Sequence, residues 1–241
     1  MKPAYILLPI AFILFIFSSC SIKQEALLNP DGSGSVHFRF EVEEVFSESL
    51  MEMASFSNDE ELFKDGNFFN LEQTRQSFKE RPSVTLVSLE SPGPNILEGN
   101  FTFQDVEKVF QGESELSEAG ILTFTRKSGE NTLKLHLDKQ NFRQVASFSE
   151  ALDNPLFDMF GPQEDEATSE QDYYEMIEFA FGEAGAKGLK VSTVDLEITV
   201  TGRLISQTGG KSIDENTAVF SIPLIDILLL NKSLDYSIKF R

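Results

Sequence analysis

Cys20 is the only cysteine in a chain of 241 residues, and the chain has only two histidines, His37 and His136. A lone thiol can be buried as a small hydrophobe, act as a nucleophile or ligand, or carry a covalent group. Nucleophilic work requires an adjacent base and a partner to orient it, and the usual base is histidine. Both histidines stand on the polar side of an alternating pattern. Val36, Phe38 and Phe40 are interleaved with His37 and Arg39, and Leu133, Leu135 and Leu137 with Lys134 and His136. They read as exposed strand residues. Zinc would require three or four His, Cys or carboxylate ligands at close spacing, and no HExxH or CxxC occurs. Gly209-Gly-Lys-Ser212 matches the end of a phosphate-binding P-loop, but the first glycine of that motif falls on Ile205, so the stretch reads as a loop between strands. Carboxylates are too plentiful to single out a pair, and no loop has EF-hand spacing. No catalytic residue, metal site or cofactor is expected, and the chain reads as a non-enzyme.

The context of Cys20 is more informative. Met1 and Lys2 form a short positive segment, and Ala4 to Phe17 is an unbroken apolar run, close to the upper length of a secretory signal core. Ser18, Ser19 and Cys20 follow. This segment resembles a bacterial lipoprotein signal peptide, whose lipobox ends in small residues before the cysteine that receives a diacylglycerol thioether. Ser18 and Ser19 fit that pattern, and Phe17 stands where leucine is usual. The resemblance implies that residues 1–19 are a signal peptide, that Cys20 is the lipid attachment site, and that the domain from residue 20 onward lies outside the cytoplasm on N-terminal acyl chains. The alternative is an uncleaved anchor, because no charge occurs between Lys2 and Lys23 and about 20 apolar residues span a bilayer. A buried structural thiol fits the polar sequence after Cys20 less well.

Charge narrows the partners. A formal net charge of −19 opposes binding to phosphate backbones, which requires clustered lysine and arginine to displace counterions. Nucleic acid is excluded on that ground. The same charge opposes adsorption to an anionic membrane, so attachment must come from an apolar or covalent group. The acidic residues are bunched: no basic residue lies between Arg143 and Lys187, and none between Glu41 and Glu61. Such runs read first as solvated faces and second as surfaces for a basic partner. With 41% hydrophobic residues and no possible disulfide within the chain, stability must come from an apolar core.

Periodicity supplies the elements that would hold such surfaces in place. Ile22 to Leu28 and Ser35 to Val42 read as a hairpin across Asn29-Pro-Asp-Gly-Ser-Gly34, and Ser83 to Glu90 with Ile96 to Phe103 as two further strands. Glu43 to Lys79 has helical spacing, with breaks at Ser57-Asn58 and Asp65-Gly66 and with Asn58 and Glu61 as a capping signal. A short helix over Gln104 to Gln111 precedes a second hairpin, Ile121 to Arg126 with Thr132 to Leu137. Gln140 to Ala186 is helical except at Gly161 to Glu166, and strands return around Val194 to Val200, Ala218 to Ile222 and Tyr236 to Phe240. Elements in blocks, with hairpins between neighbouring strands, predict an α+β fold: an antiparallel sheet with helices packed on one face. The first and last strands are expected to pair centrally in one sheet, giving a single domain over residues 20–241.

Cys20, a strand, Asn29-Pro-Asp-Gly-Ser-Gly-Ser-Val36 and another strand, together with Thr201 to Leu224 (TGRLISQTGGKSIDENTAVFSIPL), resemble the LppM-type lipoprotein domain. The resemblance covers the two ends of the chain and implies a mixed sheet-and-helix envelope domain. Members of that family often carry a C-terminal membrane helix, whereas this sequence ends on a strand, which leaves the N-terminal lipid as the expected anchor.

An apolar series with helical spacing runs through the second acidic region: Phe142, Val145, Phe148 and Leu152, then Tyr173, Ile177 and Phe181. It reads as helices packed on the sheet. Leu156, Phe157, Met159 and Phe160, beside Gly161-Pro162, are candidate ligand or partner contacts. The expected function is a lipid-anchored envelope protein, in a cell membrane or outer membrane, with a non-catalytic binding or assembly role and a protein partner. The alternative is a carrier or sensor holding an apolar ligand between sheet and helices.

Overall fold

A computed structural model describes residues 20–49, 68–111, 120–147, 160–163 and 167–241. In chain order the elements are β1 (Cys20–Leu28), β2 (Gly34–Val42), α1 (Leu71–Lys79), β3 (Val84–Gly93), β4 (Ile96–Phe103), α2 (Val106–Gln111), β5 (Leu122–Lys127), β6 (Glu130–Leu137), α3 (Lys139–Ser147), α4 (Glu170–Val191), β7 (Thr193–Val200), β8 (Leu204–Thr208), β9 (Lys211–Ser212), β10 (Thr217–Pro223), α5 (Leu224–Leu229) and β11 (Leu234–Phe240). The fold is α+β. The strands form two sheets, a seven-stranded one ordered β3-β4-β2-β1-β7-β10-β9 and a four-stranded one ordered β5-β6-β11-β8.

This differs from the expected single sheet. The first strand is central in the large sheet, but β11 lies between β6 and β8 in the small one. The neighbour of β1 is β7, and that pairing is parallel, while the other strand pairs are antiparallel. Alternation shows which face of a strand is buried and says nothing about its partner, so β7 and β11 were indistinguishable as neighbours of β1.

Each sheet has one apolar and one polar face, as the alternation predicts. In the large sheet Leu97, Phe40, Ile22, Val194 and Ile222 come from five adjacent strands and share the inner face, with Phe38 and Phe220 further along it. The outer face is charged: Arg39 donates to Glu98 at 2.9 Å and to Glu41 at 3.0 Å. Part of the inner face is covered by α1, whose Phe78 ring lies 6.3 Å from Phe38 and 5.6 Å from Phe101. The small sheet turns its own apolar face inward, and the Phe220 and Tyr236 rings meet edge-on at 5.7 Å across the two sheets.

The chain passes from the small sheet to the large one at Gly209-Gly210, between β8 and β9. Gly209 has φ +82°, and a Cβ there would fall 2.6 Å from the Tyr236 ring; one on Gly210 would fall 2.5 Å from the Phe220 ring. The segment that partly matches a P-loop is therefore the corner where the backbone threads between two core aromatics. Gly209→Ala is expected to destabilise the domain by about 2 kcal/mol, from left-handed strain plus the clash with Tyr236. Gly129→Ala is the control: its φ is +79° with nothing within 4 Å, and it should cost only about 1 kcal/mol, both read from urea unfolding midpoints.

Edge strand β3 is blunted. Its register shifts between Leu86 and Ser88, leaving Val87 65% exposed, and Arg75 of α1 donates to the Leu89 carbonyl at 2.9 Å. A bulge and a side-chain donor on the outer carbonyls oppose pairing with another chain.

Candidate functional site

Cys20 lies within the large sheet. Cys20 is the first residue of β1 and pairs with Val42 of β2, and Ser21 pairs with Thr193 of β7. Ser21 belongs to a row that crosses six strands in register: Gly93, Ile96, Glu41, Ser21, Thr193 and Pro223. Cys20 lies one residue beyond that row. Also beyond it are the β3–β4 turn at Pro94-Asn95, Glu43 and Glu44 after β2, and Val191 at the end of α4 with its cap residue Ser192. The end is tied together by backbone and side-chain bonds. Val42 N–H donates to the Asn95 carbonyl at 3.0 Å, the Asn95 side-chain amide donates to the Val42 carbonyl, Phe68 N–H donates to Pro94 at 2.8 Å, and Leu224 N–H donates to Ser192 at 2.9 Å.

Neither histidine stands free at a strand surface. His37 Nδ1 is 3.1 Å from Asn100 Oδ1, and its Nε2 is 3.7 Å from Glu98. His136 is held between two carboxylates, Nδ1 2.8 Å from Asp235 on β11 and Nε2 3.2 Å from Asp138 at the start of α3. Asp138 is in turn fixed by the Asn141 backbone N–H at 2.8 Å, and the Asn141 amide donates to the His136 carbonyl at 2.8 Å. The hydrogen bond to Asp235, followed by that to Asp138, holds the His136 imidazolium above its ordinary pKa. The Asp235 partner depends on the β6–β11 register, which local sequence does not reveal.

This arrangement clamps an imidazole between two carboxylates. Ser233 Oγ donates to the same Asp235 at 3.1 Å rather than facing the imidazole. Because the folded-state pKa of His136 is raised, its contribution to stability is fully present below the ordinary imidazole value and is lost as pH rises through the folded value. His136→Gln should remove that loss from the pH profile of the unfolding free energy. The pair is nearly half exposed, so solvent screening keeps the effect to about 0.5 kcal/mol.

Of the four candidate contact residues, Leu156, Phe157 and Met159 lie outside the described residues. Phe160 is in the core, 2% exposed, with its ring 5.4 Å from Phe181 and its carbonyl accepting from the Tyr173 hydroxyl at 2.6 Å. Burial raises the Tyr173 phenol well above its ordinary pKa, so it stays a neutral donor. Tyr173, Ile177 and Phe181 are all buried on α4, as their spacing predicts. A cavity of about 40 Å³ nearby is lined by Lys139, Gly161, Tyr173, Met176 and Leu228, among others. That volume suits one or two waters and is far below what an acyl chain occupies.

The outer face of α4 has a different character. Glu170, Asp172, Glu175, Glu178 and Glu183 are exposed there, and with them Phe179, which is 96% exposed. Glu183 pairs with Lys187 at 2.8 Å. The helix is broken at Gly182, where φ is +73°. The sequence places Phe179 out of phase with the buried stripe, a signal that spacing could have shown.

Among the described residues no group of three or more His, Cys, Asp or Glu is arranged to hold a metal ion, and no helix is long and apolar enough to cross a membrane. No protein-family model matches the sequence, and no curated protein matches it. The structure is similar to the NMR structure of the folded domain of LppM from Mycobacterium tuberculosis, at 12% identity and a TM-score of 0.41, with 93% of this chain and 90% of that one covered. That protein belongs to the family that the two ends of the sequence resemble.

Proposed function

We propose that the protein is a lipid-anchored envelope protein with a non-catalytic binding role, acylated on Cys20 after removal of residues 1–19. The observation that carries this reading is the lipobox-like boundary in the sequence: the apolar run Ala4 to Phe17 and the small residues Ser18 and Ser19 end at the lone cysteine, Cys20, and polar sequence follows.

The partner is a protein with a basic surface, bound by the outer face of α4. A large exposed aromatic ring loses water on docking, and aromatic residues are enriched at interface centres, while the surrounding carboxylates form a polar rim that can meet cations. A photo-crosslinking amino acid at position 179 should capture a specific envelope protein in intact cells. The same amino acid at Val87, exposed on the blunted edge, should not. Equal capture at the two positions would remove α4 as the binding face.

A further inference from the structure

We infer that the fold-back of α4 at Gly182 makes Phe179 a plug, and that the basic partner receives its ring in an apolar pocket with cations at the rim. The inference rests on the outer face of α4 being the binding face, and adds the shape that the partner must offer.

One contact reveals the fold-back. At about 1.5 Å per residue a straight helix would hold Tyr174 and Lys190 roughly 24 Å apart, yet the Lys190 ammonium lies 4.9 Å from the centroid of the Tyr174 ring. The two arms of α4 therefore turn back on each other at Gly182, whose φ of +73° and ψ of 177° form a backbone conformation kept almost wholly for glycine. Crowding does not dictate glycine there, since a Cβ would meet nothing within 4 Å. Nor does hydrophobic spacing call for a break: Tyr173, Ile177, Phe181, Gly185 and Leu189 are buried at the four-residue spacing of an unbroken helix. Packing makes the corner. Phe181 sits inside it, its ring 4.9 Å from Phe46 and 5.4 Å from Phe160, and a Cβ on Gly185 would fall 2.6 Å from the Phe181 Cβ.

The outside of the corner carries Phe179, Ala180, Gly182 and Ala184, all exposed, between Glu178 and Glu183. On an unbroken helix the residues three and four positions on would lean back over the Phe179 ring. Here the first is Gly182, which has no side chain, and the second is Glu183, which belongs to the second arm and pairs with Lys187 at 2.8 Å. Phe179 is left 96% exposed. A flat surface dries one side of such a ring, whereas a pocket dries all of it, the setting of an interface hot spot. The small side chains at 180 and 184 let the mouth of a pocket close around the ring, and the exposed carboxylates of Glu175 and Glu178 give cations at that mouth a counter-charge.

A photo-crosslinking amino acid at Ala184 lies beside the plug without replacing it. In intact cells its adduct with the partner, per molecule of cellular protein, should fall about tenfold or more with Phe179→Ala. It should fall by a similar factor with Phe179→Tyr, because the added hydroxyl reaches the apolar bottom of the pocket and loses its water. Both changes are at an exposed position, so folding does not confound them. Gly182→Ala should lower the adduct about fivefold or more, while Gly129→Ala, at another glycine of positive φ with nothing within 4 Å, should leave it unchanged. An adduct undiminished by Phe179→Tyr would overturn the plug, since on a flat surface the hydroxyl stays wet; equal adducts for the two glycine variants would overturn it as well. An aliphatic diazirine at position 179 tests the binding face separately: capture there, with no response to Phe179→Tyr, leaves the face standing and removes only the pocket.

Discussion

Phe220→Ala should lower the unfolding free energy by about 3–5 kcal/mol, the range for removing a buried phenylalanine and leaving a cavity. The residue is 2% exposed on β10, central to the inner face of the large sheet, and its ring meets Tyr236 of the small sheet at 5.7 Å. It also flanks the Gly210 corner. The cavity therefore opens where the two sheets share their core, and neither can close it by moving alone. Urea unfolding followed by far-ultraviolet circular dichroism measures the loss. Against a total of roughly 5–15 kcal/mol for a domain, this is a large fraction of the stability, and the urea midpoint should fall accordingly. Phe179→Ala removes the same side chain from a position 96% exposed and should change stability by less than about 0.5 kcal/mol. A loss below about 1 kcal/mol for Phe220→Ala would mean that the sheets do not share one core.

Cys20→Ala is expected to abolish the acyl mass of the membrane-extracted protein completely, an all-or-none effect because no other thiol exists in the chain. Ser19→Ala should leave the acyl mass unchanged, since it keeps a small side chain next to the cut, and Ser19→Phe should reduce processing sharply. The fold is not expected to respond to Cys20→Ala, which keeps the backbone pairing of residue 20 with Val42. Circular dichroism of the purified variants checks that point. Acyl mass persisting in Cys20→Ala would place the lipid on another residue.

How much of this was legible in the sequence depends on the range of the interaction. The β1–β2 and β5–β6 hairpins carry their own instructions: alternating apolar residues and a turn tract with Gly32 at φ +84° or Gly129 at φ +79°. The buried stripe of α4, Tyr173, Ile177 and Phe181, follows from helical spacing alone. The helix cap before α1 is not legible in the sequence, because Asn70, whose side chain accepts from Gln73 N–H, lies inside the helical stretch that follows the break at Asp65-Gly66, and the expected cap at Asn58 falls outside the described residues. The turn of helix at Leu224–Leu229 was missed for a similar reason, since an apolar run of that length fits a buried strand equally well.

The long-range pairings were not legible. Nothing local to β1 says that its second neighbour is β7 and parallel, or that β11 belongs to a different sheet. The same gap hid the His136 clamp: Asp138 is visible two residues along the chain, while Asp235 arrives only through the β6–β11 register.

The account turns on the fate of Cys20, and the intact mass of the protein extracted from its own cell membranes tests it most directly. The predicted result is a chain that begins at Cys20 and carries added acyl mass. A chain that retains Met1, or one that begins at an unmodified Cys20, would contradict it.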